Sequence, residues 1–192
     1  MDVTSKYTTA KSILRFRSEI KISGSGKEED IIVDAVTGGE LVTTVNTHAP
    51  HYFYMYASVI TNLNLWFPFT NFEFAILQAL NVAPSQLHPN SWAFVKAYEL
   101  VCLGLGLEPR LGVFFHFYYV KSLSVGKLVS LSSQPNRSLF TLYASHVKNF
   151  RNTFFRIRCG PHLSDLMFDK DGNPLFPFYW TSQLCVIVYP DF

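Results

Sequence analysis

Basic and aromatic side chains are interleaved between residues 148 and 158, in the order KNFRNTFFRIR. Lysine and arginine can neutralise the phosphates of a nucleic acid, and exposed aromatic rings can stack on unpaired bases. A strand over residues 155–159 would place Arg156 and Arg158 on one face, because alternate residues of a strand share a face. The segment predicts a nucleic-acid contact made by Lys148, Arg151, Phe154, Arg156 and Arg158.

The same segment has a second interpretation, as a solvated strand face over buried phenylalanines. Eight basic residues and no acidic residue lie between positions 110 and 158, but closeness in sequence need not be closeness in space. The acids Glu28, Glu29 and Asp30 could also cover the patch. We favour the solvated face over the binding surface.

Residues that could hold a metal ion or a phosphate occur without the rest of their motifs. DKDG at 169–172 opens like a calcium loop, but its glycine stands fourth instead of sixth and the closing glutamate is missing. His48 and His51 have no third ligand nearby, and residues 24–27 lack the G-x-x-x-x-G-K-[ST] spacing of a phosphate loop. We therefore predict no metal, no cofactor and no small-molecule substrate.

The composition is that of a folded domain with a large aromatic core. Of 192 residues, 48% are hydrophobic and 18 are phenylalanine, which excludes a disordered chain. A formal net charge of +2 is too small to argue for nucleic acid on its own.

The cysteines and the apolar segments indicate a cellular location. Cys102, Cys159 and Cys185 are odd in number and widely spaced, which is typical of reduced thiols. The first 20 residues contain no apolar core of a signal peptide. Glu108 and Arg110 interrupt the most apolar segment, and its uninterrupted part is shorter than the roughly 20 residues that a membrane-spanning helix needs. We expect an intracellular protein, in the cytoplasm or nucleus, that is neither secreted nor membrane-spanning.

A helix between residues 70 and 81 begins the central part of the chain. Thr70 and Glu73 have the spacing of a capping box, and Phe69 and Phe74 occupy the positions of a hydrophobic staple. Asn81 suits a left-handed helix end.

A second helix is predicted to begin at Asn90, after a proline-punctuated connector. Its predicted buried stripe consists of Phe94, Ala97, Tyr98, Val101, Cys102 and Leu105. Two short helices are marginal alone, so their apolar faces must be buried against each other or against a sheet.

The remaining patterns predict two more helical segments and a C-terminal half rich in strands. A helix is expected over residues 50–64, and residues 111–120 form either a buried helix or a buried strand. Strands are expected near residues 128–131, 139–143 and 155–159, with a turn at 134–138. The fold class is therefore α+β, with about four helices in the N-terminal half packed on a small, mainly antiparallel sheet from the C-terminal half.

The first 44 residues differ in composition from the rest. They are rich in Thr, Ser, Gly, Lys and Glu, with GSGKEED at 24–30 and TGGE at 37–40. We expect a flexible or loosely attached arm over residues 1–44 and a folded domain over residues 45–192.

A set of aromatic-rich segments between residues 46 and 185 carries a family resemblance. The segments are YFYMYASVI (52–60), FPFTNFE (67–73), LNVAPSQLHPNSWAFVKAYELVC (80–102), LGLEPRLGVFFHFYYVK (105–121), KNFRNTFFRIR (148–158) and PLFPFYWT (174–181). Together they resemble the plant domain known as "putative plant transposon protein" or putative gypsy-type transposon. The resemblance implies an origin in a long-terminal-repeat retroelement, and it carries over no catalytic residue.

The chemistries of a retroelement can be tested directly against the residues. A protease needs D-[ST]-G, for which DAVTG at 34–38 is no match. An integrase needs three convergent acids, whereas residues 109–164 contain none. We therefore predict that the chain is not an enzyme.

Two functions follow as hypotheses. The first is a non-catalytic domain for protein interaction or self-association. The alternative is a nucleic-acid-binding module that uses the basic and aromatic patch at 148–158.

Overall fold

The computed structural model describes residues 3–24, 26, 28–122, 128–140, 147–161 and 166–185. Its helices are α1 (Ala10–Glu19), α2 (Ala57–Leu63), α3 (Asn71–Leu80), α4 (Pro89–Gly104) and α5 (Leu111–Phe117). Its strands are β1 (Ile31–Asp34), β2 (Phe53–Tyr56), β3 (Tyr118–Ser122), β4 (Val129–Ser133) and β5 (Phe154–Cys159). The predicted α+β class is confirmed.

The strands form two antiparallel sheets. The first has the order β1-β5-β2, with β5 in the centre, and the second consists of β3 and β4. Two strands of the larger sheet precede residue 57, whereas the sequence pattern attributed the sheet to the C-terminal half. The hydrophobic periodicity of a segment does not show which distant strand it pairs with, so the sequence pattern did not reveal that β1 and β2 join β5.

The N-terminal residues pack against the rest of the chain over the part that the structure describes. Strand β1 pairs with β5 so that Asp34 lies opposite Arg156. Helix α1 buries Ile13 and Phe16, and the Phe16 ring centre lies 4.8 Å from that of Phe155 on β5. This polar-looking segment thus places its few apolar residues in the common core, and the predicted division of the chain near residue 44 stays a prediction.

Helix α3 begins and ends as its sequence predicts. Thr70 Oγ1 accepts from the Glu73 N–H at 3.1 Å, and the Thr70 N–H donates to the Glu73 carboxylate at 2.8 Å, which completes the capping box. Asn81 ends the helix in the left-handed conformation, with φ of 52°. The rings of Phe69 and Phe74 lie 5.6 Å apart, as a hydrophobic staple requires.

Helix α4 begins earlier than predicted. Pro89 is its first residue, and His88 Nδ1 caps the start by accepting from the Asn90 N–H at 3.0 Å. Proline suits this position because the first N–H of a helix has no intrahelical partner. The Trp92 ring then stacks on Phe69 at 5.4 Å and donates to the Pro84 carbonyl at 3.0 Å, which holds α4 against the start of α3.

Two predicted elements divide into a strand and a helix. Residues 53–56 form β2 and only residues 57–63 are helical, so the predicted helix over 50–64 is wrong in its first part. All four residues of β2 are buried, and the aromatic run FYMY favours a strand. Residues 111–120 likewise give α5 followed by the start of β3.

The C-terminal strand predictions have different outcomes. The strand at 155–159 is confirmed as β5, and the one near 128–131 as β4. Strand β4 pairs with β3. The predicted partner strand at 139–143 lies in part outside the described residues, which end at residue 140 before this gap. The turn at 134–138 is confirmed by a bond from the Arg137 N–H to the Gln134 carbonyl at 3.1 Å.

Candidate interaction surface

The two arginines of the predicted nucleic-acid patch lie on one face of β5 and are engaged by carboxylates. Arg158 Nε donates to Asp34 on β1 at 2.6 Å. Arg156 forms an ion pair with Glu40 and a hydrogen bond to Thr37 at 2.8 Å. The acids that engage these arginines are thus Asp34 and Glu40, which come after the Glu28–Asp30 segment in the sequence.

Phe154 is fully buried and cannot stack on a base in this structure. Its ring lies on the same sheet face as Arg156, 5.5 Å from the ring of Tyr54. Phe150 is also buried, against Tyr56 at 4.9 Å. The aromatics of this segment therefore serve the core.

Lys148 and Arg151 are exposed, as a nucleic-acid contact requires. With Asn149, Asn152 and Val3 they line a surface depression before β5. Of the five predicted residues these two are open to a phosphate, and nucleic-acid binding by the segment stays a prediction.

Metal and membrane sites can be assessed within the same described part of the chain. There, no three or more His, Cys, Asp or Glu side chains are grouped to hold a metal ion. DKDG at 169–172 forms the polar turn that its sequence predicts, with Asp169 accepting from the N–H groups of Asp171 and Asn173. Among the helices described, none combines the length and apolarity that crossing a bilayer takes.

Five exposed apolar side chains cluster at the end of α4. Leu103 is 76% exposed and Leu105 is 67% exposed, and three neighbours are exposed as well. We call these five residues the α4 ridge: Leu100, Val101, Leu103, Leu105 and Leu107. Single exposed leucines are common on protein surfaces, but here five exposed apolar residues fall within an eight-residue segment.

The end of α4 fixes the shape of the ridge. Gly106 has a φ of 66°, which an L side chain adopts only at a cost. The Leu107 N–H donates to the Cys102 carbonyl at 2.8 Å and the Gly106 N–H to Leu103 at 3.1 Å. These two bonds form a Schellman motif, so the chain reverses sharply and returns Leu107 to the helix.

An apolar groove lies beside the ridge. Leu100, Leu103, Leu107 and Pro109 line it together with the polar residues Thr70, Lys96 and Glu99. The groove thus joins the ridge to the start of α3.

An ion-paired cluster lies under this groove. Lys96 Nζ contacts Glu73 Oε1 at 3.1 Å and Glu99 Oε2 at 3.6 Å. The Thr70 hydroxyl donates to Glu99 while it accepts from the Glu73 N–H. The cluster therefore links the N-terminus of α3 to the middle of α4.

Burial sets the titration of this cluster. Burial raises the pKa of Glu73 to about 7, with the charge of Glu99 acting in the same direction and Lys96 and Thr70 opposing it. Burial alone would lower the pKa of Lys96, but Glu73 and Glu99 outweigh it and raise that pKa above its ordinary value. The carboxylates of Glu73 and Glu99 both interact with Lys96 and Thr70, which is typical of a structural network.

The comparison with known families assigns the region that contains the ridge. Residues 55–122 match the family model described as putative gypsy type transposon. This match confirms the predicted resemblance over a segment that runs from β2 to the end of β3. No curated protein and no solved structure matches the chain.

The segment similar to this family model, residues 55–122, contains all five ridge residues and the residues that line the groove. Lys148, Arg151 and the arginines of β5 lie outside it. The α4 ridge is thus in the part of the chain that the family model matches.

The sequence pattern missed the ridge because α4 is apolar on most sides. Its predicted stripe is correct for Tyr98 and Cys102, which are buried, but wrong for Val101 and Leu105, which are exposed. The true buried face also includes Trp92 and Val95. The available signal was the spacing of Leu100, Leu103 and Leu107, which repeats at three and four residues on the other side of the helix.

Proposed function

We propose that this chain is a non-catalytic protein-interaction or assembly domain, from a protein derived from a plant gypsy-type long-terminal-repeat retrotransposon. One observation carries the proposal: five exposed apolar residues form the α4 ridge within the segment similar to the family model. Exposed apolar patches rimmed by polar residues are typical of protein–protein contacts. The plant origin rests on the resemblance of the sequence segments.

The arrangement of the ionisable groups supports a non-catalytic role. Glu73 is the third helical residue of the α3 capping box, and its carboxylate accepts from the Thr70 N–H and from Lys96. A general acid or base needs a free proton-transfer position that a substrate can reach. The same carboxylate fixes the start of α3 under the groove, which is a structural task.

The cellular location belongs to the same proposal. Cys102, Cys159 and Cys185 form no disulfide in the part of the chain that the structure describes, and cysteines without disulfides are typical of reducing compartments. We place the protein in the cytoplasm or the nucleus.

Site-specific photocrosslinking in cells tests the interaction function. A benzophenone amino acid replaces Leu103 on the ridge, or Leu14 on α1, which is 68% exposed and serves as the matched control. We expect a protein adduct from position 103, identified by mass spectrometry, that is absent from position 14. The adduct should disappear when Leu107→Glu is added.

Two results would contradict the proposal. One is a ridge probe that gives no protein adduct although the full chain is present. The other is an adduct that forms equally at positions 14 and 103 and persists with Leu107→Glu.

A further inference from the structure

We propose that the α4 ridge is occupied by the ridge of a second copy of this chain, in a two-fold symmetric dimer. The proposal rests on the proposed interaction function and names its partner. In a two-fold contact the same patch serves both copies, so the patch must be complementary to itself. The shape of the ridge and the charges at its rim both meet this condition.

The ridge combines a protruding part with a receiving part. At 100° per residue, Leu100 and Leu103 lie on the groove side of α4 and Val101 lies on the opposite flank. Leu103 protrudes furthest, with 76% of its surface exposed. The groove beside it has a volume of about 290 Å³, while a cavity of about 150 Å³ already holds a benzene molecule. Leu103 of each copy therefore finds room in the groove of the other.

The charges at the rim are of both signs. Glu108 and Arg110 are both exposed and flank Pro109, which lines the groove. In the proposed dimer the two-fold axis passes near Pro109, so that Glu108 of one copy lies opposite Arg110 of the other and the reverse pair follows by symmetry. A partner carrying one sign of charge would be repelled by one of these two residues, so the rim favours a second copy.

The rim is held in a fixed position relative to the ridge. The Tyr98 hydroxyl on α4 donates to the Arg110 carbonyl at 3.4 Å, and the Schellman motif fixes Leu107. Arg110 is also the N-cap residue of α5, directly before Leu111. A preformed surface loses less conformational entropy when it binds, which stabilises a dimer.

Sedimentation velocity of the purified full chain, from micromolar to submillimolar concentration, tests the dimer. We expect a reversible dimer that Leu103→Glu converts to a monomer and that Leu14→Glu on α1 leaves intact. Both leucines are more than half exposed, so neither change should impair folding, and circular dichroism checks this. A wild-type chain that stays monomeric, or a dimer that persists with Leu103→Glu, would overturn the proposal.

Charge reversal tests the two-fold pairing itself. Glu108→Arg and Arg110→Glu alone should each raise the dissociation constant roughly tenfold, because each places like charges opposite each other. The two changes combined should restore the wild-type constant, since the pairs then form with inverted signs. A combined variant that dimerises more weakly than either single variant would overturn the two-fold arrangement.

The dimer and the interaction function can fail separately. The chain could be monomeric while the probe at position 103 crosslinks to a different protein and Leu107→Glu abolishes that crosslink. In that case the dimer is wrong and the interaction function stands. If position 103 gives neither a dimer nor an adduct, both are wrong.

Discussion

Arg156 on β5 and Glu40, which lies 116 residues earlier, form an ion pair on one face of the three-stranded sheet. Arg156 Nε donates to Glu40 Oε1 at 2.9 Å, and the guanidinium lies 4.7 Å from the centre of the Tyr52 ring. The Tyr54 hydroxyl donates to the same carboxylate. The side chains of Arg156 and Glu40 are 22% and 7% exposed, so the pair is shielded from water and joins the N-terminal segment to the central strand.

The change Glu40→Gln should lower the free energy of unfolding by about 1–3 kcal/mol, because Arg156 then keeps its charge in a largely buried site without a carboxylate to balance it. Urea denaturation measures the loss. The control is Glu19→Gln, which removes an exposed pair with Arg15 and should cost no more than about 0.5 kcal/mol. Equal effects of the two changes would contradict the structural role of Glu40.

The same pair should make stability sensitive to acid. Burial alone would raise the pKa of Glu40, but hydrogen bonds from Arg156, Tyr54 and Thr37 outweigh it and hold that pKa below its ordinary value. A carboxylate with a lowered folded-state pKa stabilises the fold above its unfolded pKa, and this contribution is lost as pH falls through the folded value. Urea denaturation of the wild type and of Glu40→Gln should therefore differ at pH 6 and converge as the pH falls below about 4.

Glu73 should give the opposite pH dependence. Its folded-state pKa of about 7 lies above the ordinary value, so its contribution is fully present below about pH 4.3 and is lost as pH rises through about 7. The free energy of unfolding of the wild type, minus that of Glu73→Gln, should fall over this range. Glutamine keeps the capping-box geometry, so the difference isolates the charge.

A second variant checks the cause of the Glu73 shift. The charge of Glu99 raises the pKa of Glu73, so Glu99→Gln should move the midpoint of this pH dependence to a lower pH. A midpoint that stays in place would show that Glu99 does not act on Glu73.

Local signals in this sequence predict helix ends well. The capping box at Thr70 and Glu73 and the left-handed Asn81 depend on residues within one helical turn, and the structure reproduces both. The same holds for the alternation of β5, where Phe155 and Ile157 are buried and Arg156 is not.

Long-range partners could not be predicted from these signals. The pairing of Arg156 with Glu40 and of Arg158 with Asp34 requires β1 to lie beside β5, and no local pattern specifies that neighbour. For α4, apolar residues on most sides leave its rotation to tertiary packing, which buries Trp92 and exposes Leu103. The candidate site was missed for this reason.

Gly160 should be essential for the attachment of β1 to β5. Its N–H donates to the Asp30 carbonyl at 2.7 Å, and an added Cβ would lie 2.7–2.9 Å from backbone atoms of Asp30. Backbone atoms cannot move aside alone, so Gly160→Ala should cost about 1–3 kcal/mol. Gly38→Ala is the matched control, since nothing lies within 4 Å of its added Cβ.

Limited proteolysis shows where the Gly160→Ala effect arises. Cleavage within residues 20–30 should become faster in this variant than in Gly38→Ala, because β1 separates from β5 more often. Unchanged stability and unchanged cleavage would mean that the N-terminal segment is not held at this contact.

The nucleic-acid hypothesis makes a prediction that separates exposed from engaged basic residues. If the segment at 148–158 contacts a phosphate backbone, Lys148 and Arg151 carry that contact, because Arg156 and Arg158 are bound to Glu40 and Asp34. Fluorescence anisotropy with single-stranded DNA and RNA, titrated from about 50 mM salt upwards, should then show a salt-dependent affinity.

The double change Lys148→Ala and Arg151→Ala should weaken this binding and reduce the salt slope by about 2, or about 1 for each lost phosphate contact. Lys11→Ala with Arg15→Ala on α1 removes the same charge from an exposed site elsewhere and should leave most of the affinity. Equal losses in the two double variants would indicate a response to net charge. A chain with no salt-sensitive affinity for either nucleic acid would exclude the hypothesis and leave the α4 ridge as the functional surface.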